Sequence, residues 1–498
     1  MKISHGFSLV RHRVLASLLG GCLLLAALSL SAAEPDGIPV DLSALWNAEQ
    51  QGIAAPSGMP PAVPAPSAAP GSYLPLEGPV APVNHTEELV GLGVCDPAAA
   101  AKSKYPTVTV NGVFQADAVM FNQDAASLAT FGQIQNGTDF RRARLSAKGA
   151  LAENMNYFMQ MDFGFFGRPT FTDVWTEWTG IPVLGTVRAG QWKHPFSLEV
   201  VSSFRYTTFM ERSSLFQPFT PFRHMGVGFY NYSEDLNTTW AASLIRTGQD
   251  QFGGSLSTNG GNGLVARITH LLWYEDEGTH YFHTGGGYFL NSPPNDTARF
   301  RSIPEIFVGE FRPDGTGTSG QAVPGVFDGT PFFVDTLALT GIDHVHTFGL
   351  EALWVAGPLS VQAEGMAAIV DHSALASDTL KGSYVQMGYF LTGEHRPYDR
   401  KNGCIDRVKP FNNFGRHYVG DGCYQGWGAW EVAGRWSYVD LTDGAINGGT
   451  MNNFTFGVNW YQNPYSKVVF NYIHSWLDHR TAVESEANAF GLRVQIDF

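Results

Sequence analysis

The feature that most constrains this chain is a period-two alternation of large apolar residues with polar or small ones, recurring from about residue 105 to the end. Successive side chains of a β-strand point to opposite faces, so each such stretch is a ribbon with one greasy and one polar side. In the last stretch Phe490, Leu492, Val494, Ile496 and Phe498 form one set, and Gly491, Arg493, Gln495 and Asp497 the other. Trp430, Val432, Gly434, Trp436 and Tyr438 alternate with Glu431, Ala433, Arg435 and Ser437. Phe454, Phe456, Val458 and Trp460 do so against Asn453, Thr455, Gly457 and Asn459, and Tyr157, Met159, Met161 and Phe163 against Asn156, Phe158, Gln160 and Asp162. The charged residues fall in the polar sets.

A soluble sandwich alternates too, so the solvent on the greasy side must be decided by other means. Only 15% of the residues are charged, against about 25% in an ordinary soluble domain. Large aromatics gather toward the ends of the apolar faces, as they do in the girdles of membrane barrels. After the amino-terminal segment no stretch approaches the roughly 20 apolar residues of a spanning helix, so insertion must use strands. The expected fold is all-β, a transmembrane antiparallel β-barrel.

The amino terminus points to export. Lys2, Arg11 and Arg13 precede an apolar run from Val14 to Leu30, and Ser31-Ala32-Ala33 supplies small residues for a peptidase. Residues 1–33 therefore read as a signal peptide cleaved after Ala33, with Cys22 in the discarded piece. Residues 34–104 read as a disordered, Pro/Ala-rich periplasmic linker, with nine prolines between Ala54 and Pro82, a composition that cannot bury a core. Residues 105–498 form the barrel domain. Losing Lys2, Arg11 and Arg13 with no acidic residue takes the formal charge from −14 to −17, which argues against nucleic acid as a partner. Four cysteines are too few for a disulfide scaffold. A terminal aromatic, Phe498, closing an alternating strand resembles the sorting signal of outer-membrane barrels and places the protein in the bacterial outer membrane, with its lipid as a partner.

Strands counted backward from Phe498 number about sixteen, an even number as expected for a single-chain bacterial barrel. The last strand runs toward the periplasm, so the Gln462-Asn463-Pro464 turn and both barrel termini lie there. Three connections are far longer than the rest: roughly Lys193 to Arg223, Asn291 to Asp343, and Gly393 to Gly428. Two fall on the extracellular side and the third on the periplasmic side. Loops of that length in a compact fold are functional or disordered.

Several segments resemble the phosphate-selective porin O and P family. They are Phe140-Arg141-Arg142-Ala143-Arg144-Leu145, the run from Gly190 to Glu199, Phe209-Met210-Glu211-Arg212, Phe333-Val334-Asp335-Thr336, the run from Phe390 to Glu394, Ala429-Trp430-Glu431, and the run from Asn459 to Pro464. They stand in the family's order and cover the chain from about Tyr105 onward. The resemblance implies a homotrimer of sixteen-stranded barrels, each with its own pore narrowed by infolded third and fifth outer loops and one long periplasmic turn.

Pores select ions by rings or ladders of charge and by their narrowest diameter. Arg142, Arg144, Ser146 and Lys148 share one strand face and form a basic ladder toward the lumen. Arg188, Arg267, Arg435 and Arg493 point inward by the same rule. Guanidinium groups in a low-dielectric lumen attract anions and bond their oxygens in pairs. The alternative is bracing, because Asp162, Asp173, Glu177, Glu351, Glu364 and Glu431 also face inward. The third outer loop, expected to form the constriction, carries Lys193, His194, Arg205, Arg212 and Arg223 against Glu199 and Glu211, with Phe204, Tyr206, Phe209 and Phe216 as anchors. Phosphate-specific members of the family are expected to present several lysines there, and this loop offers Lys193 alone, which weakens the case for phosphate in particular. The fifth loop sets Arg299, Arg301 and Arg312 against Glu305, Glu310 and Asp335. Cys404 and Cys423 lie in the long periplasmic connection, where an oxidising compartment permits a bridge.

The expected function is passive diffusion of small polar solutes through a water-filled channel that prefers anions, phosphate-type anions among them. A barrel-embedded hydrolase is the rival of another class, yet the chain carries no Gly-x-Ser-x-Gly elbow, no His-Glu-x-x-His pair and no phosphate-cradling glycine loop. His280, His283, His344 and His346 read as solvated rim residues rather than metal ligands, and no cofactor is implied. A non-conducting outer-membrane anchor that uses the Pro-rich arm is the other rival.

Overall fold

The computed structural model describes residues 104–164, 169–248, 254–309, 329–419, 422–481 and 483–498. The expected signal peptide and all but the last residue of the expected linker lie outside these residues, as do Glu310, Arg312 and Cys95.

Sixteen antiparallel strands close into one barrel. In chain order they are β1 (Thr109–Gln123), β2 (Gly137–Ala152), β3 (Met155–Asp162), β4 (Thr170–Ile181), β5 (Gly185–Lys193), β6 (Arg223–Tyr232), β7 (Thr238–Arg246) and β8 (Asn262–Glu275). They continue as β9 (His280–Ser292), β10 (Ile342–Ala356), β11 (Leu359–His372), β12 (Asp378–Phe390), β13 (Ala429–Asp443), β14 (Ile446–Asn463), β15 (Ser466–Asp478) and β16 (Glu484–Asp497). Each pairs with its sequence neighbours, and β16 returns to pair with β1. Every strand is thus covered on both edges, the condition for backbone polar groups to sit in hydrocarbon.

The alternation read from the sequence is the alternation of the wall. On β16 Phe490, Leu492, Val494 and Ile496 are exposed on the outside, while Gly491, Arg493, Gln495 and Asp497 are buried inside. Leu145, Met159, Val227, Leu350, Met387, Phe454 and Phe456 continue the apolar outer surface. The β1–β16 seam is tied from within: Asp117 stands opposite Arg493, and two hydrogen bonds of 2.7 and 2.6 Å join them. One step along, Gln115 stands opposite Gln495, with their amides bonded at 2.7 Å.

The end with the 464–465 turn and Phe498 carries short turns and is periplasmic by the rule for such barrels. The third outer connection (194–222) and the fifth (293–341) come from the opposite end, and the connection 391–428 from the periplasmic one, as the strand count implied. All three place side chains inside the barrel. Phe196, Leu198, Leu215 and Phe219 of the third, with Phe300, Ile306 and Phe333 of the fifth, are buried.

Candidate pore interior

The third loop is fastened to one side of the lumen by donors aimed at its backbone. Gln495 donates to the carbonyl of Arg205 at 3.2 Å, Lys467 to that of Thr207 at 2.9 Å and Asn459 to that of Thr208 at 2.8 Å. Arg493 donates to the carbonyl of Met210, and Arg435 to that of Glu211 at 3.2 Å. Asn471 accepts from the amide of Met210 at 2.8 Å. These six side chains come from β13 to β16, on strand positions the alternation turns inward. An irregular segment inside a barrel needs such partners, because its own backbone groups would otherwise be buried unpaired.

Glu211 is the ionic centre of this contact. Its carboxylate accepts from Arg141 at 2.9 Å and from Arg493 at 2.8 Å, and Arg142 lies at 3.4 Å. Burial works against its charge, yet Arg141, Arg142 and Arg493 together hold its carboxyl well below the usual glutamate range. Arg141 faces inward beside Arg142 because β2 bulges here. The two-residue step from Gln115 to Asp117 on β1 is matched by a three-residue step from Arg142 to Asp139 on β2, and a bulge re-aims a side chain in this way.

Most of the basic residues picked out from the sequence have partners in the wall or the loops. Arg144 meets Asp162 at 2.6 Å, Arg188 meets Glu177 at 2.6 Å, Arg223 meets Asp173 at 2.7 Å and Arg267 meets Glu351 at 2.6 Å. Arg205 lies 3.7 Å from Asp497. Arg142 is also bonded to Gln115 at 2.7 Å. Lys193 donates to the carbonyls of Val200, Val201 and Ser202 at 2.6, 2.9 and 2.8 Å, and Arg212 to those of Glu199 and Ser202 at 2.9 and 3.1 Å. Both therefore cap the end of the short helix Leu198–Val201, whose last carbonyls lack intrahelical partners. Lys148 keeps its place on the inner face of β2 but stands exposed at the periplasmic end of the strand. The aromatics of the third loop act as anchors. The guanidinium carbons of Arg142 and Arg144 lie 4.7 and 4.6 Å from the Phe204 ring centre, and that of Arg435 lies 4.5 Å from Phe209.

The fifth loop adds Glu305, which is buried and bonds Arg435 at 3.0 and 2.7 Å, Thr455 at 3.2 Å, the amide of Ser214 at 2.7 Å, and Ser437. From the periplasmic connection Arg396 pairs with Glu431 and Arg407 with Asp497. Alternation gave no handle on Arg396, Arg407 or Glu305, because long connections carry no period. Arg141 was hidden by the bulge, although two adjacent arginines in an alternating strand are themselves a sign of one.

Two expectations are corrected. Cys404 and Cys423 are both free thiols. They lie on separate two-stranded ribbons, Tyr398–Asp399 with Cys404–Ile405 and Gly415–Val419 with Gly422–Gly426, which keep the two residues apart in the sheet pattern. His283 is no rim residue: it is fully buried and bonds Tyr398 at 2.6 Å and Glu351 at 3.1 Å.

On the side of the lumen away from the loop anchors, β4 to β8 enclose a cavity of about 200 Å³ with the third loop and the periplasmic connection. Arg188, Lys193, Arg267 and Lys401 line it, together with Asp173. The carboxylates paired with these cations and with Arg223 are Asp173, Glu177 and Glu351. Lys193 is held by carbonyls and Lys401 has no ion pair among the described residues, so the lining itself carries four basic side chains against one acidic one.

A family model for phosphate-selective porin O and P matches residues 108–498. Porin O of Pseudomonas aeruginosa is 24% identical over 388 residues, spanning 74% of this chain and 83% of that protein. An uncharacterized protein of Caulobacter vibrioides is 24% identical over 381 residues, spanning 73% of this chain and 68% of that one. Among solved structures, the anion-selective porin from Comamonas acidovorans superposes with a TM-score of 0.48 at 11% identity, covering 79% of this chain and 99% of that one.

Proposed function

Because this chain belongs to the phosphate-selective porin O and P family, porins of the bacterial outer membrane, we propose that it lets small hydrophilic anions diffuse passively across that membrane. The observation that carries the anion preference is the excess of positive charge around the lumen cavity. A low-dielectric wall focuses such a field and raises the local concentration of the opposite ion. Lys193 and Lys401 supply the attraction at this cavity, where Arg188 and Arg267 are paired with Glu177 and Glu351. Arg142, Arg205 and Arg212 chiefly hold the infolded loop in place through their partners, Arg144 and Arg223 pair with the wall carboxylates Asp162 and Asp173, and Lys148 adds charge at the periplasmic mouth. The alternation and the family both speak for a channel rather than a hydrolase. The assembly we propose is a homotrimer with one pore per barrel, exported through a signal peptide cleaved after Ala33 and carrying the Pro/Ala-rich arm in the periplasm.

Purified protein in planar bilayers under a salt gradient tests the reading. Stepwise conductance with a reversal potential toward the chloride equilibrium value is expected, and cation preference would discard it. Cross-linking in detergent should trap three copies, and sequencing of the outer-membrane form should start at Glu34.

A further inference from the structure

The periplasmic connection presents Lys401 to the cavity on a turn that is fixed at both ends. Asp399 accepts from the amides of Lys401 and Asn402 at 3.0 and 3.2 Å and from the Asn402 side chain at 2.6 Å. The carbonyl of Gly403 accepts from Arg267 at 2.7 Å. The residue at that pivot has φ +60, and a Cβ there would come within 2.8 Å of Thr239 Oγ1, so glycine suits the close approach of turn to wall. A turn pinned in this manner fixes the backbone of Lys401 beside the cavity, and its ammonium lies 5.8 Å from the ring centre of Tyr232.

The donors on offer then describe the ligand. Arg188 and Arg267 are engaged with carboxylates, Lys193 with carbonyls and the Asn402 amide with Asp399. A phosphate, with its several oxygens, would find one ammonium outside an ion pair where it needs a fork of donors. A single carboxylate is matched by Lys401 alone. Besides Asn231 and Thr239, the rest of the lining is apolar or aromatic, with Trp192, Pro195, Val201, Tyr230 and Ala241 among it, and suits a hydrocarbon or ring body, as ligand sites with few polar groups do.

Resting on the anion reading above, we propose that this cavity is a transit site for small organic monocarboxylates, and that Lys401 is the residue that sets their preference. Benzoate and inorganic phosphate serve as probes, each titrated against the chloride current of the full protein in planar bilayers. Benzoate is expected to reduce the current at lower concentration than phosphate. Lys401→Gln should raise the benzoate concentration for half reduction about two- to fivefold, the range expected for one exposed charge pair. Phosphate titration should shift by a smaller factor than benzoate titration in that variant, and Lys401→Arg should keep the benzoate effect. Lys401→Glu should also lower the chloride-to-potassium permeability ratio. Equal benzoate titrations in the parent and Lys401→Gln, or tighter action of phosphate than of benzoate in the parent, would overturn the proposal while leaving an anion-preferring porin in place. A parent protein that prefers cations would sink the anion reading and this one with it. Unaltered heat-dependent gel mobility of each variant shows that its barrel is intact.

Discussion

Arg435 of β13 and Glu305 of the fifth outer loop, 130 positions apart, meet through two hydrogen bonds of 3.0 and 2.7 Å with both residues buried. Since Glu305 also accepts from the amide of Ser214, one carboxylate joins two infolded loops to the wall.

Glu305→Ala should therefore loosen both loops at once. Removing one partner from a buried pair costs about 3–5 kcal/mol, because the other charge stays buried. Arg435 would keep only Glu199 at 3.4 Å as a counter-ion. Thermal unfolding in detergent should drop markedly, and single-channel records should show larger, noisier openings. Unchanged records and melting would remove Glu305 from this role.

Acid should act on the third loop late. The Glu211 carboxyl is depressed below the 4.5 of an ordinary glutamate. A group so depressed contributes stability that is present above the unfolded value and is lost as pH falls through the folded one. Current noise should stay constant from neutral pH down to that value of 4.5 and rise only below it. Glu211→Gln should be noisy at neutral pH. Noise that sets in between neutral pH and 4.5 in the parent would contradict the ion-pair anchor.

Arg144 offers a way to separate bracing from selection. Its partner Asp162 is fully buried, so Arg144→Ala leaves an unpaired buried charge and should destabilise by about 3–5 kcal/mol. If fastening is its work, the reversal potential under a salt gradient will shift less than in Lys401→Glu. A larger shift would return Arg144 to the selecting charges.

The two thiols should differ in reactivity. Burial pushes the Cys404 thiol up to about 12, and the thiolate is the reactive form, whereas Cys423 is exposed. Alkylation of the folded protein followed by peptide mapping should mark Cys423 quickly and Cys404 slowly. A recovered Cys404–Cys423 disulfide peptide would refute the free pair.

On the outer face, Leu492→Arg should cost about 2–4 kcal/mol if the residue sits near the bilayer midplane. A urea titration of folding into lipid vesicles measures it. A neutral result would mean that Leu492 does not face hydrocarbon.

The wall was legible in the sequence because its physics is periodic. Phe490 to Phe498 had to alternate if one face meets lipid, and the strand count followed from the same rule. Family motifs then gave the kinship, which the family match to residues 108–498 bears out. The interior was legible only in part. Arg142, Arg144 and Arg267 could be placed on the inner face, but whether each meets a carboxylate is a matter of register between distant strands and loops. Arg267 faces Glu351 from two strands away, across the small residue Gly287 of β9. Nothing local in the sequence marks such a pair, nor the bulge that turns Arg141 inward, nor the fixed turn that carries Lys401.

The carbonyls that run from Arg205 to Glu211 are received by side chains of β13, β14, β15 and β16. One of them, β16, is also the strand that shuts the barrel on β1. The narrowing of the passage therefore depends on closure, and a wall opened at that seam would take from the loop the partners that Arg493 and Gln495 supply.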